Sequence, residues 1–238
     1  LGYPTLSLVK DLMVLERAMS YQPDLILWRV TLESFPRDRQ LESPIVAHNP
    51  QRVRQLIERY QLAITMPAAK PTFWQRTLIG RRRELADLLR LQLYGVMWTA
   101  TGIDQLYPPS YPPAGRDLEA DESFHHWQPP AFPEDGLALD LIQAGMKIAG
   151  EVPVVLVNEP ILVSNGENSD IRYNFYYPRW AYDLYRQTLA EASSANGWKY
   201  FDLWDLVPQE HFTNSAIHLD AQGEEMLARR LIDAGLIQ

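Results

Sequence analysis

The stretch VPVVLVNEP (152–160) decides the fold. From Val152 to Val157 it is uncharged and dominated by β-branched side chains, which fit a pleated surface, and it ends abruptly at Asn158-Glu159-Pro160. A run without polar alternation predicts a strand buried on both faces, as in a parallel sheet. Helical patterns flank it. Residues 137–149 read as one helix, and Pro178 starts another that uses Trp180, Leu184, Tyr185 and Leu189 and stops near Gly197. Further out, DLILWRV (24–30) and Trp198 to Leu203 read as strands. Strands alternating with helices predict the α/β class: a three-layer α/β/α sandwich around a mainly parallel sheet.

The remaining elements extend this pattern. Leu8, Leu12, Leu15 and Met19 describe one face of a helix that Pro23 ends. Asn49-Pro50 reads as an N-cap followed by a first-turn proline, with Val53, Leu56, Ile57 and Tyr60 as the buried stripe, and LAITMP (62–67) reads as a further strand. Residues 71–105 predict one interrupted helix or two, with Gly80, Gly95 and Gly102 as weak points. From 107 to 136 the prolines forbid regular hydrogen bonding, so this segment reads as an ordered excursion packed by its aromatics. LDAQGEEMLARRLIDAG (219–235) predicts a final helix, capped by Asp220 and ended before Gly235. The reading is one domain over 1–238 with a helical and proline-rich insertion at about 65–135.

Composition excludes several classes. With 46% hydrophobic and 22% charged residues, the 238-residue chain is neither disordered, collagenous nor a coiled coil. Cysteine is absent, which removes disulfides, thiolate metal sites and a cysteine nucleophile. No run of about 18 apolar residues and no signal-peptide pattern is found. Residues 1–119 hold 15 Lys+Arg against 12 Asp+Glu, while 120–238 hold 7 against 18. That acidic balance argues against nucleic acid as a partner.

Parallel sheets bind ligands at the carboxyl ends of their strands, which directs attention to Gly2, Thr31, Asn158 and the loop before the last helix. That loop carries His218. An imidazole there can take a proton from a serine hydroxyl if a neighbouring group orients its other nitrogen; the plainer alternative is local hydrogen bonding.

The segment FTNSAIHLDAQGEEMLARRL (212–231) resembles the last sequence block of the SGNH (GDSL-type) hydrolases and acyltransferases, where a strand leads to Asp-x-x-His, a Leu, a Gly and the closing helix. His218, Leu219 and Gly223 match; Ser215 stands at the Asp position, with Asn214 beside it. GYPTLS (2–7) resembles the second block, and PDLILWRVTLES (23–34) occupies the third, with Thr31, Glu33 and Ser34 where the family has Asn. The resemblance implies a flavodoxin-like scaffold, His218 as general base, Asn214 or Ser215 orienting it, and Gly2 and Thr31 as oxyanion donors. It implies no cofactor, and places the nucleophilic serine, in the Gly-Asp-Ser first block, upstream of Leu1. It also implies a small-molecule or saccharide ester as substrate and a membrane acyltransferase as partner; a membrane surface as partner is read separately from the Arg81-Arg82-Arg83 run, which suits an anionic membrane or a partner, or else a solvated face. A non-catalytic carbohydrate- or envelope-binding module on the same scaffold is the alternative.

Other residues invite binding roles. Asn158 and Glu159 are placed to bind substrate or to orient His218, or else simply to form a turn with Pro160. Arg172 and Asn174 suit a sugar or an anionic group, with Tyr173, Tyr176 and Tyr177 to stack on it, unless these aromatics only cover the core. His125-His126 and His211 lack metal-ligand spacing, so no metal is expected. Arg81-Arg82-Arg83, with Arg76 and Arg90, mark either a docking face or a solvated one.

Overall fold

The computed structural model describes residues 6–66, 73, 77–102 and 113–235. The chain divides into two compact units, Met66–Tyr111 and the remainder. The segment read as an insertion at about 65–135 spans both units, with Met66–Tyr111 forming the smaller one.

In the larger unit, Ser7 caps helix α1 (Leu8–Ala18), its hydroxyl accepting the Lys10 N–H. Leu8, Leu12 and Leu15 are buried along it. Gln22 in the left-handed region turns the chain into strand β1 (Ile26–Val30). Helices α2 (Pro44–Ala47) and α3 (Pro50–Tyr60) follow. Asn49 precedes Pro50 but caps nothing: its side-chain amide donates to the Ile45 carbonyl instead. LAITMP forms no strand over 62–66. Gln61 leaves α3 in the left-handed region, and the Ile64 N–H closes back on the Leu62 carbonyl, so Leu62 and Ile64 enter the core from a turn.

Helix α5 (Leu139–Ala149) leads to strand β2 (Val154–Asn158), helix α6 (Arg179–Asn196), strand β3 (Lys199–Asp202) and helix α7 (Ala221–Asp233). The left-handed Gly197 ends α6, where a side chain would be strained. Asp220 caps α7 by accepting the Gly223 N–H at 2.8 Å.

The three strands form a parallel sheet in the order β1-β2-β3, with Val30 opposite Asn158 and Asn158 opposite Asp202. The chain is thus a mixed α/β protein. Successive strand residues face opposite ways. Val155 and Val157 pack with Leu227 and Leu231 of α7. On the other face Trp28 lies so close to Gly145 of α5 that a Cβ there would collide with its ring. The Trp28 indole N–H donates to Asp11 of α1 at 3.1 Å. Among the described residues β1 is an edge strand, and a groove of about 600 Å³ runs beside it, lined by Val14, Leu15 and Ala18 of α1 and by Leu25, Leu27 and Trp28.

The proline-rich excursion from 113 to 136 is irregular, as expected, and held from outside. Arg172, 6% exposed, donates from its guanidinium to the carbonyls of Asp121, Ser123, Asn174 and Phe175. Phe124, Trp127, Phe132 and Trp180 form a chain of ring contacts along it.

In the smaller unit the described helix is α4 (Arg82–Thr101), continuous through Gly95 and ended by the left-handed Gly102.

Candidate functional site

His218 sits in a closed loop after β3. The Thr213 N–H donates to the His218 carbonyl at 2.9 Å, the Asp220 N–H donates to the His211 carbonyl at 2.9 Å, and Phe212 bridges Leu219. Leu162 anchors the loop by donating to the Ala216 carbonyl. These bonds fix the backbone and leave the ring exposed; it takes no hydrogen bond from any described residue. The imidazole faces a cavity of about 400 Å³ together with Ser215, Glu33, Arg39, Glu42 and Tyr176. Leu6, from the end of the GYPTLS stretch, lines the same cavity. Four segments far apart in sequence thus converge at the carboxyl-end side of the sheet.

Opposite His218 lies a charged network that the sequence reading did not assemble. The Glu33 carboxylate takes Arg39 on one oxygen and a ring nitrogen of His125, at 2.8 Å, on the other. Arg39 also donates to Glu42 at 2.9 Å. Burial works against the Arg39 charge, but the Glu42 hydrogen bond and the Glu33 charge outweigh it and hold its pKa above the ordinary value. His125 adopts a left-handed backbone, unusual for a residue with a side chain and a mark of local strain. Arg39 and Glu42 follow β1 closely enough for the carboxyl-end rule to have found them. His125 carried no such signal, because the fold brings it across 92 positions to Glu33.

Of the other sequence-selected residues, Tyr177 reaches the cavity lining, whereas Thr31, Asn158, Glu159, Arg172, Tyr173 and Asn174 lie outside it. Thr31 is fully buried, and its hydroxyl donates to the Tyr177 hydroxyl at 3.1 Å. Asn158 is fully buried too: its amide donates to Asp202 at 2.8 Å and its carbonyl oxygen accepts the hydroxyls of Tyr182 and Tyr185, each at 3.2 Å. Asn174 caps the Tyr176 and Tyr177 N–H groups and donates to the Leu162 carbonyl. Arg172 is committed to backbone carbonyls, as described above. Tyr173 and Tyr177 are buried, and burial pushes the Tyr177 hydroxyl far above its ordinary pKa, leaving it neutral. Of these side chains, Asn174 fixes the Tyr176 backbone at the cavity and Tyr177 lies against Thr31 beneath it. Asn214 is exposed and Ser215 lines the cavity, but neither hydrogen-bonds the His218 ring; Gly2 lies outside the described residues.

Glu159 pairs with Arg29 at 3.1 Å, with Glu224 on the far side of that guanidinium at 3.8 Å. Burial raises the Glu159 pKa from 4.5 to about 7, against the pull of Arg29. His211 pairs with the capping Asp220 at 3.2 Å. Among the described residues no group of three His, Asp or Glu side chains is arranged to hold a metal ion.

Chemically, the cavity offers one imidazole with no hydrogen bond from a described residue, two carboxylates, one guanidinium and one half-exposed aromatic ring. That set suits a ligand rich in hydroxyls. No family model, curated protein or solved structure matches the chain.

Proposed function

We propose that this chain is a three-layer α/β/α domain of the SGNH type carrying the base half of an acyl-transfer site, acting on an ester of a carbohydrate or an envelope polymer. The observation that carries the reading is the unpaired His218 imidazole, held by a backbone-locked loop in one cavity with the segments that follow β1 and precede α1. Helix α7 on one face of the sheet and the α5–Trp28 contact on the other support the layering.

In this reading a serine hydroxyl attacks the ester carbonyl. The Oγ–C bond forms, the carbonyl π pair moves to the oxygen, and His218 takes the hydroxyl proton. Collapse breaks the C–O bond to the alcohol, and the imidazolium returns its proton to that leaving group. The serine is proposed on the strand that the resemblance puts ahead of Leu1, for which the open edge of β1 has room. The proposed orienting group is Asn214, Ser215 or a backbone carbonyl, the first two reaching the ring only on rotation of their side chains, since neither hydrogen-bonds it in this structure. With no carboxylate behind the ring, the imidazolium gains less stabilisation than in an Asp-His pair, which favours slow ester transfer over rapid hydrolysis.

One observation favours a second reading, a saccharide-binding module without chemistry. Tyr176 at the cavity and Phe175 beside it are 47% and 42% exposed, with ring centroids 4.6 Å apart, a surface on which a sugar ring stacks.

The test is the intact mass of the full-length native protein before and after a serine-reactive fluorophosphonate, alongside acetate release from acetylated saccharides. A single adduct, with adduct and release both lost in His218→Ala, supports acyl transfer. Absence of an adduct, with saccharide binding retained, refutes it and selects the binding module.

A further inference from the structure

Twelve of the sixteen large apolar side chains exposed among the described residues lie between Phe73 and Trp98. On α4 their exposure follows no stripe. Leu88, Leu93 and Tyr94 are 53%, 70% and 43% exposed, yet at about 100° per residue they point to three different sides of the helix. From Leu91 to Trp98 Gln92 is the one polar side chain. A helix packed on a protein surface shows one apolar face, and a coiled coil shows a narrow seam with polar flanks. An apolar circumference is covered on all sides only by a protein core or by lipid.

Charge decides for lipid. Arg81, Arg82 and Arg83 stand at the amino-terminal end of α4, where the helix dipole adds further positive potential. Residues 66–111 hold six basic and three acidic side chains, net +3, while the rest of the chain is net −11. A cationic end followed by an uncharged apolar end matches the order of headgroup and acyl chain. No described helix is long and apolar enough to cross a membrane. The stretch 91–98, about 12 Å long, fits within the roughly 15 Å of one leaflet's hydrocarbon.

We propose that α4 anchors the protein to an anionic phospholipid surface, with Leu91–Trp98 entering one leaflet obliquely and the Arg81–Arg83 end held among the headgroups. The anchor does not depend on the chemistry at His218.

Vesicle flotation of the full chain tests this, using phosphatidylcholine alone and an equimolar mixture with phosphatidylglycerol. The protein is expected to float with the anionic vesicles and to be released by rising salt. Replacing Arg82 and Arg83 by Ala lowers partitioning roughly fivefold per arginine. Leu93→Asp with Val96→Asp abolishes flotation with an unchanged circular dichroism spectrum, since both positions are exposed. Flotation with the neutral vesicles as strong as with the anionic ones overturns the role of the arginines. Failure to float with either, or concentration-dependent dimerisation without flotation, overturns the proposal and, in the second case, assigns α4 to another copy of the chain. No ester substrate enters the assay, so its failure is distinct from failure of the acyl-transfer reading.

Discussion

Glu159→Gln should flatten the alkaline side of the protein's stability profile. Glu159 is 7% exposed at the end of β2, and burial, opposed by Arg29, moves its pKa from 4.5 to about 7. The folded state therefore binds this proton more tightly than the unfolded state does. A raised pKa contributes stability that is fully present below pH 4.5 and is lost as pH rises through 7. At 1.36 kcal/mol for each pH unit of separation, the loss comes to about 3 kcal/mol above pH 8. Gln keeps the shape and cannot ionise. Thermal unfolding of both proteins from pH 5 to pH 9 checks this. The midpoints should lie within about 2 °C of each other at pH 5, whereas at pH 8 and above the variant should unfold roughly 6–12 °C higher. Arg29 is half exposed and retains Glu224, so it is not stranded by the change. Two parallel curves, with the same gap at every pH, would show that Glu159 is ionised in the fold throughout and would refute the burial argument.

Asn158→Ala removes the shared partner of two buried tyrosine hydroxyls and of Asp202, and should cost about 2–4 kcal/mol in urea unfolding. Gly145→Ala drives a methyl group into the Trp28 ring and should cost about 1–3 kcal/mol, with a change in tryptophan fluorescence as the indole shifts. Tyr176→Ala should weaken binding of a neutral oligosaccharide, measured by calorimetry, about fivefold or more, while leaving the thermal midpoint within about 2 °C, because the ring is half exposed.

The strands and long helices were legible because each carries a period or a stop that local chemistry enforces. Val152–Val157 has no charge to place on a solvent face, Gly197 supplies a left-handed exit, and Asp220 offers an oxygen to an unpaired N–H. LAITMP misled because apolar composition alone does not tell a strand from a turn that buries two side chains. The site was legible at the level of which loops meet, through the carboxyl-end rule, and illegible at the level of which side chains turn inward. In an apolar strand nothing in the sequence marks which parity faces which layer. Asn158, at the end of β2, therefore points into the tyrosine cluster and not into the cavity. The Glu33–His125 pair depends on how the proline-rich excursion folds back, and that path is held by Ser164, Asn168, Arg172 and Trp180, some fifty residues away.

Arg172 bonds this excursion through main-chain oxygens, a choice with evolutionary weight. Every residue type presents the same carbonyl, so the clamp does not depend on the identities of Asp121, Ser123 or Phe175. Ser164, Asn168 and Trp180 bond the carbonyls of Arg116, Leu118 and Glu122 in the same way, so much of the information that holds the loop lies outside it. Away from the buried Leu118, Phe124 and Trp127 the excursion can vary where only its main chain is held, while lysine, with no planar fork to span four oxygens, is a poor replacement for Arg172.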